Sequence, residues 1–322
     1  MFRFNYLLFL IIALIQASCA NQKAGIKINV IRQVFLSEVS SASGIVYHDN
    51  RLYIVGDDVP WMYILDKEFT ILNKVRLSGI DSMVNGRIPK SVKPDFESLE
   101  LLSFGGSTSL NIFSSGSMTN SRDTSYTFYL NDRRIKHRTL RPIYEHIKAE
   151  ALMSSQDEIN IEGVAFSETA GYFLHRGNIS GNIIAAFHKE RLINYLDNDL
   201  NAFPEAKIYQ FDLPDDNQLQ SGFSGACMIP NNYGILFTAS LESTDDVISD
   251  GGILGSYVGI IPINTISEGH YVSALLSIDK ETLPKKLEGI TIKSLEDRKI
   301  IAYAVCDNDD GTSDIFELEI IY

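Results

Sequence analysis

Three glutamates and two serines recur in one local setting, each followed by Gly or Ser and then a short apolar run. The copies are Ser43-Gly44-Ile45-Val46-Tyr47, Glu97-Ser98-Leu99-Glu100-Leu101, Glu162-Gly163-Val164-Ala165-Phe166, Ser224-Gly225-Ala226-Cys227-Met228 and Glu288-Gly289-Ile290-Thr291-Ile292. Carboxylates gathered from such places are costly unless they share protons, pair with cations or bind a metal. A hard cation with oxygen ligands, Ca2+ first, meets that need. A second polar set ends the following apolar run of each copy. It comprises Asp57-Asp58, Ser115, Arg176 with Asn178, Glu242 and Asp307. From the two sets we expect Asp57, Glu97, Glu162, Glu288 and Asp307 as metal ligands. Ser43, Asp58, Ser115, Arg176, Asn178, Ser224 and Glu242 are the expected ligand-binding groups. Arg176 is the one cation placed among them, as counter-ion or as clamp for an anionic group. The competing role for each Glu is structural, accepting backbone hydrogen bonds from a neighbouring unit.

The elements that must position these residues follow from the spacing. Successive copies lie 54, 65, 62 and 64 residues apart, a period that signals a repeated supersecondary unit. Within a unit the sequence reads as four short strands divided by turns, as in 44–47, 52–55, 61–65 and 71–77 of the first. Four antiparallel strands repeated radially make a β-propeller blade. We therefore expect an all-β fold, a single propeller of five four-stranded blades over residues 26–322, with six blades as the alternative count. The last unit supplies only three strands, and the strand-like segment 26–35 has no partner among its neighbours. Closure by the N-terminal strand joining the last blade resolves both. Segments 142–153 and 191–200 read as insertions with helical character. The innermost strand of a blade starts, and the next ends, on one face near the central axis, so both polar sets converge there.

Composition bounds the function. With 45% hydrophobic residues and mean hydropathy near zero, the chain can bury a large core. The net charge of −13 argues against nucleic-acid binding and suits cation binding. The run Arg133-Arg134-Ile135-Lys136-His137-Arg138 reads as a solvated outer-strand turn. His175 has no serine in a nucleophile-elbow context, which leaves a Ser-His-Asp hydrolase without support. Cys227 and Cys306 sit inside apolar runs and read as buried thiols rather than a disulfide. Arg3 followed by the apolar run 6–15 and the small residues Ala17-Ser18-Cys19-Ala20 has the form of a secretory signal over residues 1–19. Lipidation at Cys19 is favoured over simple secretion. The protein is thus expected in the periplasm or anchored to the outer membrane through that lipid.

Glu162-Gly163-Val164-Ala165-Phe166 and Glu288-Gly289-Ile290-Thr291-Ile292 resemble the Glu-Gly-aliphatic signature of phytase-like (esterase-like) and SdiA-regulated-type propellers. The resemblance implies a propeller with a polar, calcium-associated axial face and, in some relatives, ester or phosphoester hydrolysis. This chain departs from the signature at Ser43 and Ser224, and at Ser98, which follows Glu97 in place of Gly. Two functions follow. One is an exported, monomeric propeller that binds a small molecule, glycan or protein through the axial face, with Ca2+. The other is a calcium-assisted ester or phosphoester hydrolase that uses the same face.

Overall fold

The computed structural model describes residues 25–322 except 119, 178–180, 198, 200, 202, 217–218 and 243–251. Residues 1–19, with Cys19, and Asn178 therefore lie outside the described residues. Five four-stranded antiparallel sheets form five blades, as the period predicts. Their innermost strands are Ala42–His48, Phe96–Phe104, Ile161–Phe166, Gly222–Met228 and Leu287–Glu296. Each contacts the innermost strands of both neighbouring blades, so the ring closes. The N-terminal strand Lys27–Leu36 pairs antiparallel with Ser313–Ile321 and supplies the outer strand of blade five. No helix among the described residues is long and apolar enough to cross a membrane.

The blades are packed on both faces, which is why the second strands of blades one, three, four and five carry apolar runs rather than alternation. Leu52 through Gly56 is entirely buried, as is Gly171 through His175. The apolar side chains divide into five clusters, one per interface between neighbouring blades. Phe96, Phe113, Phe173, Phe223, Phe237 and Phe316 are among the fully buried anchors. Each contributes roughly 1.5–3 kcal/mol relative to exposure. The outer strands are exposed edges that carry Lys27, Arg32, Lys74, Lys136 and Lys207. Such charges discourage edge-to-edge pairing. At the hairpin between the first two strands of blade one, Asp49 and Asn50 both take positive φ, the turn that matches strand twist.

Both expected insertions are helices. Arg141–Glu150 begins with Pro142 in its first turn and buries Ile143, Tyr144 and Ile147 between blades two and three. Lys189–Leu196 covers the same interface through Leu192, Tyr195 and Leu196. Cys227 and Cys306 are free thiols, in line with the reading from sequence.

Candidate functional site

The repeated Glu/Ser position coincides with a repeated backbone irregularity. In all five blades the register between the innermost and second strands slips by one residue at this position. Ala42 faces Gly56 and Gly44 faces Val55, so Ser43 is skipped. Glu97, Glu162, Ser224 and Glu288 are skipped in the same way. A bulged residue leaves the ladder and its side chain is re-aimed. The sequence repeat is therefore a fivefold bulge at the axial end of the innermost strands. The Gly after it admits the neighbouring strand. A Cβ on Gly289 would lie 2.1 Å from Ser43 O, and one on Gly44 would lie 2.8 Å from Leu99 N. Ser98 fills the Gly place in blade two, and its hydroxyl accepts the amide of Val164 at 2.8 Å.

The two serines of the ring are tied up between blades. Ser43 Oγ donates to Phe96 O, and Ser224 Oγ donates to Leu287 O at 2.6 Å. Both acceptors belong to the residue just before the next blade's ring position. The interblade hydrogen-bonding role weighed for the glutamates is thus filled by Ser43, Ser224 and Ser98. Glu97, Glu162 and Glu288 instead line a small axial cavity of about 70 Å³, together with Asp57, Asp95, Lys90, Lys93, Arg122, Ser117, Asn160 and Lys286. Of the expected metal ligands, Asp57, Glu97, Glu162 and Glu288 are brought together here. Asp307 lies outside this wall, on a groove with Phe35, Lys285 and Asp314.

Two ion-pair clusters flank the cavity. On the side of blades one and two, Lys93 Nζ bridges Asp57 and Asp95, at 2.6 Å from Asp95. Arg122 pairs with Asp95 at 3.0 Å, and Ser115 Oγ donates to the same carboxylate. Burial pushes Asp95 up, but Lys93 and Arg122 outweigh it and hold the carboxyl below its ordinary value. On the side of blades three to five, Arg176 pairs with Glu242 at 2.8 Å and lies 4.0 Å from Glu162. Lys286 lies 2.9 Å from Glu288 and 3.4 Å from Glu242. Burial opposes ionisation of Glu242, yet Lys286 and Arg176 pull its pKa down to about 2. Asn160 donates to Glu162 at 2.7 Å. Asp58 pairs with Arg87 just outside the cavity.

The expectation that Arg176 is the one cation at the mouth is corrected: Lys90, Lys93, Arg122 and Lys286 also converge there. Two of the residues that sequence reasoning missed, Asp95 and Lys286, stand two positions before a ring residue. A polar residue two positions before the ring Glu recurs in three blades, as Asp95-x-Glu97, Asn160-x-Glu162 and Lys286-x-Glu288, and that recurrence in the repeat was a readable signal. Lys93 and Arg122 come from segments outside the repeat, where no pattern marks them.

Glu97 stands beside the first cluster, where its charge helps raise the pKa of the Lys93 ammonium. It has no hydrogen-bond or ion-pair partner among the described residues. Burial, with Glu162, Asp95, Asp57 and Glu288 around it, holds its carboxyl well above the ordinary range. Burial raises Glu288 strongly too, against the pull of Lys286. Around the cavity stand seven carboxylates (Asp57, Asp58, Asp95, Glu97, Glu162, Glu242, Glu288) and six cations (Arg87, Lys90, Lys93, Arg122, Arg176, Lys286). The carboxylates outnumber the cations, so the wall carries net negative charge when all are ionised. One oxygen each of Asp57, Asp95 and Glu97 lie mutually within 4.8 Å, a spacing that a metal ion can bridge. The buried Oδ1 of Asp57 has no hydrogen-bond partner. The oxygen donors and these two unused acceptors fit a hard cation, with Lys93 as its internal competitor for Asp57 and Asp95.

Buried His175 is a support, not a reactive group. Its Nδ1 accepts the Asn160 amide at 2.9 Å, and burial lowers its pKa to about 4.

Residues 38–320 match the family of unknown function DUF6929, and the chain belongs to that family. No curated protein matches the sequence significantly. Among solved structures the chain is similar to glutaminyl cyclase of Myxococcus xanthus, at 12% identity and TM-score 0.49 over 91% of this chain and 96% of that one. It is similar to the PQQ-bound aldose sugar dehydrogenase of Streptomyces coelicolor, at 11% identity and TM-score 0.42 over 92% and 99%. Virginiamycin B lyase of Staphylococcus aureus follows, at 10% identity and TM-score 0.37 over 92% and 99%. Likeness at these scores carries no inference about ligand or reaction.

Proposed function

We propose that this propeller is a binding protein whose axial cavity holds a small cation, Ca2+ first, on the Glu97 carboxylate. The observation that carries the reading is the half-buried Glu97, which has no hydrogen-bond or ion-pair partner among the described residues, beside a buried Asp57 oxygen without a hydrogen-bond partner. Asp57, Asp95 and Glu97 would hold the ion, with Glu288 and Glu162 as the next carboxylates of the wall. A bound divalent cation would supply the missing positive charge and polarise whatever oxygen completed its coordination. The motif resemblance to phytase-like propellers points to the same metal. Export is part of the proposal and rests on residues 1–19, outside the described residues.

Calorimetric titration of the chelator-treated protein with Ca2+, beside Glu97→Gln, tests the function. Binding by the wild type that weakens at least about tenfold in the variant supports it. No binding by folded wild type, or equal binding by both, rejects it.

A further inference from the structure

A second cavity, of about 310 Å³, opens between blades two and three under the helix Lys189–Leu196. Its size is that of a small-molecule site. Its wall breaks the rule that governs the other blades. The second strands of blades one, three, four and five are apolar on both faces through their middle. That of blade two, Ser107–Ser114, alternates, with Ser109 and Asn111 on one face and Leu110 and Ile112 on the other. Ser109, Asn111 and Thr127 are nevertheless buried, Asn111 to 3% exposure, and all three line the cavity.

Cross-strand register places Glu100 opposite Asn111, Asn111 opposite Thr127, and Thr127 opposite Lys136. A single polar row thus crosses the sheet from the axial strand to the rim. Within it Asn111 Nδ2 donates to Ser109 Oγ at 3.0 Å, and Thr127 Oγ1 donates to Asn111 Oδ1 at 2.9 Å. The row ends inward at Glu100, 8% exposed, whose Oε1 is buried without a hydrogen-bond partner. Burying such a row between blades is costly when an apolar face would pack. The rim comes from the basic run 133–138, which borders the cavity instead of forming only a solvated turn. Arg134 lies 4.3 Å from the Tyr129 ring centroid and lines the mouth with Lys136. The one acid in the wall, Asp197, is already engaged by the Tyr129 hydroxyl at 2.8 Å and by Lys136. Arg134 pairs with the exposed Asp132 at 3.4 Å and helps Lys136 hold the Asp197 carboxyl below its ordinary value.

We propose that this interblade cavity binds a monosaccharide-sized sugar that carries one anionic group. The uncharged floor of Ser109, Asn111 and Thr127 takes the hydroxyls, and Arg134 takes the anion. The site is independent of the axial cavity.

Calorimetry of the full chain with glucuronate, glucose 6-phosphate, glucose and inorganic phosphate tests it. The two sugar anions separate a carboxylate source from a phosphate source. Binding of at least one of them, weakened at least about tenfold by Arg134→Ala and by Asn111→Leu, supports the site. Thermal unfolding checks that the buried variant folds, and exposed Arg134 gives the result that does not depend on it. Absence of binding by both sugar anions overturns the proposal. So does inorganic phosphate binding as tightly as the sugar anions, or a sugar anion unaffected by Arg134→Ala.

Discussion

Asp307→Asn should stabilise the protein by an amount that grows with pH. Asp307 ends the second strand of blade five and is 6% exposed. Burial, with Asp57 nearby, raises its pKa from 3.8 to about 7, and Arg87 opposes that only in part. Between those values the folded protein keeps a proton that the unfolded chain has released, so stability falls as pH rises through the window. At about 1.4 kcal/mol per pH unit, the cost reaches a ceiling of about 4 kcal/mol above the folded pKa. Asparagine keeps an oxygen for the Asp309 amide, 3.0 Å away, and never ionises. The variant should match the wild type near pH 4 and exceed it progressively up to pH 8. His175 titrates in the opposite sense. Its pKa is lowered to about 4, so its contribution to stability rises with pH from about 4 to 6.5, but it is common to both proteins and cancels in their difference. Urea unfolding at pH 4 to 8 in EDTA gives that difference directly. A difference that is flat with pH, or one that shrinks towards pH 8, would refute the reasoning.

Other outcomes follow from the same packing. Gly289→Ala places a Cβ 2.1 Å from the backbone carbonyl of Ser43, so the inner strands of blades five and one must separate. Denaturation should show a loss of at least about 1–3 kcal/mol, and an unchanged midpoint would contradict the close approach. Ser98→Ala orphans the Val164 amide and should cost about 1–3 kcal/mol in the same assay. Lys93→Met leaves Asp57 and Asp95 without their shared ammonium. It should destabilise by about 3–5 kcal/mol at neutral pH, with partial recovery in added Ca2+ if the ion takes the ammonium's place. No recovery at saturating Ca2+ would show that the two do not compete for these carboxylates.

The architecture was written in the sequence because a propeller repeats its constraints. Each blade needs a residue at the axial bulge and a small one after it, and that pair returned often enough to count blades. The partnerless strand 26–35 revealed the closure, since the last unit was one strand short. The ring serines were harder to interpret. A Ser and a Glu at one position look like interchangeable polar groups, yet Ser43 reaches a neighbouring carbonyl while Glu97 faces the cavity. The cations were least legible. Lys93 and Arg122 arrive from segments after the outer strand of blade one and the second strand of blade two, where no period constrains the sequence. Only Asp95 and Lys286, each two residues before a ring Glu, could be found from the repeat. The polar row of blade two was visible at Ser107-Thr108-Ser109-Leu110-Asn111, but alternation there reads as an exposed strand until the neighbouring blade is seen to cover it.

The most direct measurement is the titration of the Glu97 carboxyl, followed by carbon-13 NMR and assigned with Glu97→Gln, without and with Ca2+. The account expects a pKa well above the ordinary glutamate value in the chelated protein, falling on addition of Ca2+ as the ion replaces the proton. A Glu97 that titrates as an ordinary glutamate, or one whose raised pKa ignores saturating Ca2+, would contradict it.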